Sequence, residues 1–125
     1  MNTLLIAFGG GLGAMLRYLL GSLVDSKGKR DTMPLAILAI NVLGAGGLGI
    51  FLGYRYDTIS YNFYSCSAYL CFGVGFFGAF TTFSTFSIEA ISLLQRKAYK
   101  SFLLYILFTI VGSITAFTFA FLLIQ

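Results

Sequence analysis

Histidine is absent, acidic residues number four, and charged residues of both signs make up only 10% of the 125 positions. A nucleophile, a general base and a general acid cannot be assembled from so few titratable groups, so no enzymatic activity is expected. The two cysteines, Cys66 and Cys71, have no histidine to complete a metal site. Five residues apart on one predicted helix, they point to different sides, which disfavours a local disulfide and leaves them to ordinary helix packing. No linker, repeat or low-complexity tract divides the chain. Met1-Asn2-Thr3 supplies no basic leader, and the apolar run behind it is too long for a cleaved signal peptide.

What the chain does have is apolar surface, with 58% hydrophobic residues. That share lies outside the range of soluble globular domains and points to a membrane protein. Four uncharged or nearly uncharged stretches, over residues 4–24, 34–54, 64–94 and 101–124, can each cross a hydrocarbon core, which needs about 20 apolar residues. The connections between them are short, so residues 1–125 form one all-α unit of four transmembrane helices. Four helices are too few to wrap a wide aqueous pathway, and a transport function would require a second chain. Gly9 and Gly13 in the first stretch, and Ala45, Gly49 and Gly53 in the second, recur at intervals of four. Such spacing lets backbones approach closely, either between chains or within one.

Six of the eight basic residues, Lys27, Lys29, Arg30, Arg96, Lys97 and Lys100, fall in the first and third connections, and only Arg55 in the second. Positive charge marks the cytoplasmic side, so both termini are expected outside. The net charge of +4 thus reads as topology and not as nucleic-acid binding. Arg17 lies within the first stretch, roughly 10 Å of helix from its end. It can snorkel to the headgroups or draw anions toward a vestibule. Glu89, the one acid within a span, can pair with a basic loop residue or line a polar entrance.

The third stretch concentrates the chemistry. Gly78 to Ser87 reads Gly-Ala-Phe-Thr-Thr-Phe-Ser-Thr-Phe-Ser, five hydroxyls interleaved with Phe80, Phe83 and Phe86. Gly73, Gly75, Gly78, Thr81 and Thr82 make a poor continuous helix, which predicts a break near residues 78–82. Backbone freed at bilayer depth must be buried in protein or face a cavity or an ion, and freed carbonyls suit a cation. Beyond the break, Phe80, Phe83 and Phe86 fall near one another beside a stripe of Thr81, Ser84 and Ser87. Ring edges are electropositive, and hydroxyls and the amide of Asn41 donate hydrogen bonds, so the pair of stripes suits a small anion. In the bland alternative the rings face lipid and the hydroxyls bond back to their own helix.

At these residues the chain resembles the Fluc (CrcB) fluoride channels over essentially its whole length. The matching motifs are Gly10-Gly11-Leu12-Gly13-Ala14-Met15-Leu16-Arg17-Tyr18, then Pro34 through Asn41 with Gly44, then Gly75 through Phe86, and Gly112-Ser113. The resemblance implies an antiparallel dimer with two pores in the cell membrane, passing fluoride out of the cytoplasm and so giving fluoride resistance. By motif position, Phe83 and Phe86 would meet fluoride edge-on, Asn41 would donate its amide, and Ser84, Thr85 and Ser113 would extend a polar track. Arg17 would lie near the pore entrance. Gly78 and Thr81 would hold a central structural sodium through backbone carbonyls. Two places depart from the family pattern: Ala36-Ile37 stands where Gly-Thr is usual, and Phe117 where a hydroxyl is common. The partner is a second copy or a sister chain, and the basic bias favours one fixed orientation and hence a sister chain. A small proton-coupled multidrug exporter is a rival, but it wants a carboxylate in the first helix and residues 4–24 have none. A non-conducting partner subunit is another.

Overall fold

The computed structural model describes residues 2–25, 33–55 and 66–124. Lys27, Lys29 and Arg30, and residues 64 and 65 at the expected start of the third span, lie outside them. Helix α1 (Asn2–Asp25) and helix α2 (Leu35–Tyr54) follow the first two apolar stretches. Pro34 directly precedes α2, where its fixed φ and missing N–H do no harm. The third stretch holds a π-helix, Tyr69–Phe77, which continues into one α turn, Gly78–Phe80, and the two together are termed α3. After a break at Thr81 and Thr82 come α4 (Phe83–Gln95) and α5 (Tyr99–Ile124). With the two halves of the third stretch taken together, four helical spans among the described residues are long and apolar enough to cross a membrane.

Two pairings organise the bundle: α2 lies along α5, and α1 lies along α3. Both are built on glycine, because only a residue without a side chain lets two backbones come this close. A Cβ at Gly9 would collide with the Cys71 carbonyl, and one at Gly13 with that of Phe76. On the other pairing, a Cβ at Gly49 would lie 2.5 Å from the Phe117 carbonyl oxygen, and one at Gly53 2.8 Å from that of Phe121. These four glycines are therefore used within the chain.

A small core ties α4 to α5. Ala90, Leu93 and Tyr105 are buried, with Met33, Leu38, Phe86, Ala98, Phe102 and Ile106 packed around them. Large apolar side chains elsewhere point outward, among them Leu4, Phe8, Met15, Tyr18, Ile88, Leu103 and Phe119. In water so much exposed apolar surface would drive aggregation, whereas in lipid it is the expected exterior.

The α4–α5 connection is a Schellman turn. Lys97 N–H donates to the Leu94 carbonyl and Ala98 N–H to that of Leu93, both at 3.0 Å. Lys97 occupies the left-handed position at φ 59, where a residue with a Cβ costs about 1–2 kcal/mol. At the far end of the bundle, Arg55 donates from Nη2 to Cys66 Sγ at 3.5 Å. The backbone N–H groups of Tyr69 and Ala68, and then the Arg55 charge, hold the Cys66 thiol below its ordinary pKa. Both cysteines are free thiols.

Candidate functional site

The break at bilayer depth is made by two threonines in extended conformation. Thr81 has φ −76 and ψ 156, and Thr82 has φ −147 and ψ 120. Gly78, expected to help break the helix, is instead helical at φ −64 and ψ −34. Several of the groups freed by the break are bonded within the chain. Thr81 N–H and Oγ1 both donate to the Phe77 carbonyl, at 3.1 and 2.9 Å, which closes the end of α3. Thr82 N–H donates to Asn41 Oδ1 at 2.8 Å, while Asn41 Nδ2 donates to the Thr82 carbonyl at 3.2 Å. The side-chain amide of α2 thus imitates a peptide group and clamps the break from across the bundle. Thr82 then caps α4, its Oγ1 accepting from Thr85 N–H at 3.3 Å.

The same residues open onto a cavity of about 390 Å³. Asn41 and Ala45 of α2, Thr81 and Thr82 at the break, Phe83 and Phe86 of α4, and Thr109 and Ser113 of α5 line it, with Ile110 and Ile114. None of these side chains is charged. The Phe83 and Phe86 rings are 5.8 Å apart at 40°, and Phe86 continues onto Tyr105 at 5.2 Å and 32°. Phe83 is 79% exposed in the single chain, so one ring of the pair projects from the protein surface.

The expected stripes divide differently. Phe80 does not join Phe83 and Phe86, because the break turns it away: it is buried and stacks on Phe76 at 5.9 Å and 4°. Thr81 and Ser87 bond back to their own helix, at the Phe77 and Phe83 carbonyls, as the bland alternative has it. The connected hydroxyls are instead Thr82, Ser84 and Thr85. Thr82 Oγ1 donates to Thr85 Oγ1 at 3.1 Å and lies 3.3 Å from Ser84 Oγ. Ser113 Oγ is buried with no hydrogen-bond partner among the described residues, as is the Tyr105 hydroxyl.

Asn41, Phe83, Phe86 and Ser113 are therefore brought together around one cavity, with Ser84 and Thr85 bonded to its rim. Arg17 is half-buried on α1 and does not line it, and neither does Gly78. Gly78 is exposed, with open space where a side chain would be. Thr82, expected among the helix breakers, is the pivot of the break. Two residues were missed: Tyr105 and Thr109, which precede Ser113 at intervals of four along α5. The four-residue spacing was the available signal for those two.

Residues 4–121 match the CrcB-like protein family, described as Camphor Resistance (CrcB). The chain belongs to the CrcB family. Among curated CrcB relatives, the "Fluoride-specific ion channel FluC 1" of Halalkalibacterium halodurans is 46% identical over 121 residues, 97% of this chain and 95% of that protein. "Fluoride-specific ion channel FluC 1" of Carboxydothermus hydrogenoformans is 36% identical over 80 residues, 64% of this chain and 58% of that one. "Fluoride-specific ion channel FluC 2" of Methanosarcina mazei is 40% identical over 79 residues, 63% of this chain and 55% of that one. This CrcB chain is an all-helical, multi-pass membrane protein.

Proposed function

We propose that this protein is a fluoride-selective channel of the cell membrane that lets the anion leave the cytoplasm passively. The observation that carries the reading is the cavity at the break, which joins ring edges, hydroxyls and an amide and has no charged side chain in its lining. A small, strongly hydrated anion needs donors to replace its water. Ser113 Oγ–H has no partner among the described residues, Thr85 Oγ1 accepts from Thr82 and keeps its own hydrogen, and Asn41 Nδ2 keeps a second one. Phe83 and Phe86 add electropositive edges. With no charged side chain in the lining, the anion binds weakly enough to leave, as conduction requires. Arg17 supplies charge from outside the cavity and raises the local anion concentration.

The channel is an antiparallel dimer. Phe83 and Gly78 are both exposed in the single chain, which supports a partner chain covering them. A structural sodium fits the break. The extended ψ of Thr81 turns its carbonyl out of helical register, and the open space at Gly78 leaves room for a partner's carbonyls. Gly78 and Thr81 would hold the ion through backbone oxygens, and its charge would neutralise those dipoles and tie the two subunits together.

Proteoliposomes test the reading. Fluoride efflux that persists without a proton gradient and does not extend to chloride is the expected result. Flux that requires a proton gradient would favour an exporter, and none with or without a sister chain would favour an inert subunit. A second prediction concerns the partner. With six basic residues in the first and third connections against Arg55 in the second, terminal tags are expected to be labelled from outside the cell only, which pairs this chain with a sister of opposite orientation. Equal labelling from both sides would instead establish a dimer of identical chains.

A further inference from the structure

The α4–α5 turn presents its cations from a rigid backbone. Its inner side is anchored, because Ala98 packs against the buried cluster of Ala90, Leu93 and Tyr105. Its outer side is open: Gln95, Arg96, Lys97, Tyr99 and Lys100 are all exposed. Two hydrogen bonds hold the turn, from Lys97 N–H to Leu94 and from Ala98 N–H to Leu93. They leave Lys97 as the one non-glycine at positive φ among the described residues. Glycine suits that backbone better, so what lysine adds is a cationic side chain rooted at a fixed backbone position.

The position of the turn says what that ammonium meets. It joins two apolar spans, Tyr69–Gln95 and Tyr99–Ile124, and so lies at the plane where a bilayer places its phosphates. Tyr99 is 58% exposed, an aromatic of the kind that settles at the headgroup level. Met33, just before α2, packs on the same cluster as Ala98, so the start of α2 lies at this end of the bundle and Arg55, past its end, at the other. By charge this is the cytoplasmic end, where the leaflet is rich in anionic lipid.

We infer that the α4–α5 turn is a docking surface for anionic phospholipid, with Lys97 and Lys100 closing on the headgroup phosphate from one rigid turn. The lipid tails then lie along the outward apolar side chains next to it, among them Leu94 and Leu103. Nothing in this depends on which ion the channel conducts.

The test uses the full chain in vesicles of phosphatidylcholine with added phosphatidylglycerol, reading the lipids retained after extraction by native mass spectrometry. The unmodified chain is expected to retain phosphatidylglycerol in preference to phosphatidylcholine. That preference should fall about fivefold for each charge removed in Lys97→Gly and Lys100→Gln, since a basic residue at an anionic surface contributes about 1 kcal/mol. Lys97→Gly relieves the left-handed backbone, so the variant keeps its turn, and its thermal stability in phosphatidylcholine should not fall. An unchanged lipid preference in the double variant would overturn the inference. So would loss of the retained lipid on adding inorganic phosphate, which would make the turn a site for the soluble anion. Retention that withstands phosphate supports a lipid site.

Discussion

Phe83→Ile is expected to lower fluoride flux about tenfold while leaving the stability of the chain essentially unchanged. Phe83 is 79% exposed, so its ring contributes little to the fold of one subunit. What isoleucine removes is the aromatic edge, a weakly electropositive rim that an aliphatic chain of similar bulk does not offer. An edge contact of about 1.4 kcal/mol in the rate-determining position corresponds to the tenfold change. Phe86→Ile is expected to reduce flux similarly but to cost about 1 kcal/mol of stability as well, because Phe86 is half-buried and lies 5.2 Å from the Tyr105 ring. Fluoride efflux and thermal melting in detergent, measured on both variants, separate the two effects. Unchanged flux in Phe83→Ile would remove that ring from the pathway, and melting lowered as far as in Phe86→Ile would make its role one of packing.

The four spans were legible because long apolar runs have few other interpretations. The break was legible in place and partly in cause. Threonines and glycines together suggested it, yet among the described residues no glycine has positive φ, and Gly78 is helical. The turn is made by Thr81 and Thr82 and held by Asn41, a contact between residues 41 apart in sequence, which no local pattern reveals. Local spacing misled in the same way at Phe80. A continuous helix would have set it beside Phe83, whereas the interruption between them sends it to Phe76. The π-helical stretch at Tyr69–Phe77 left no mark in composition. Tyr105 and Thr109 did carry a readable spacing with Ser113, but in a run of apolar residues two hydroxyls at that interval look like ordinary membrane-helix polarity. Thr109 indeed returns its hydrogen bond to the Tyr105 carbonyl at 2.7 Å.

Asn41 carries the second large expectation, because it serves the break twice. Asn41→Ala removes an acceptor at 2.8 Å and a donor at 3.2 Å, stranding the N–H and carbonyl of Thr82 in a residue that is only 6% exposed. An unsatisfied buried group costs about 1–3 kcal/mol, and lipid offers no water in compensation. A loss of about 2–4 kcal/mol is expected, seen as a large drop in melting temperature. Thr82→Ala is the informative comparison. It keeps both backbone bonds to Asn41 and loses the cap on α4 together with the hydroxyl contacts to Ser84 and Thr85, for which about 1 kcal/mol is expected. If Asn41 mattered solely as a donor to the anion, its removal would lower flux with melting unchanged. The geometry predicts the opposite order of events: the break loosens first, Phe83 and Phe86 lose their fixed relation to Ser113, and flux falls because the cavity is no longer held in shape. Asn41→Asp distinguishes the two roles further. It keeps an acceptor for Thr82 N–H but places a negative charge at the cavity wall, so flux should fall below that of Thr82→Ala even where melting is partly restored relative to Asn41→Ala.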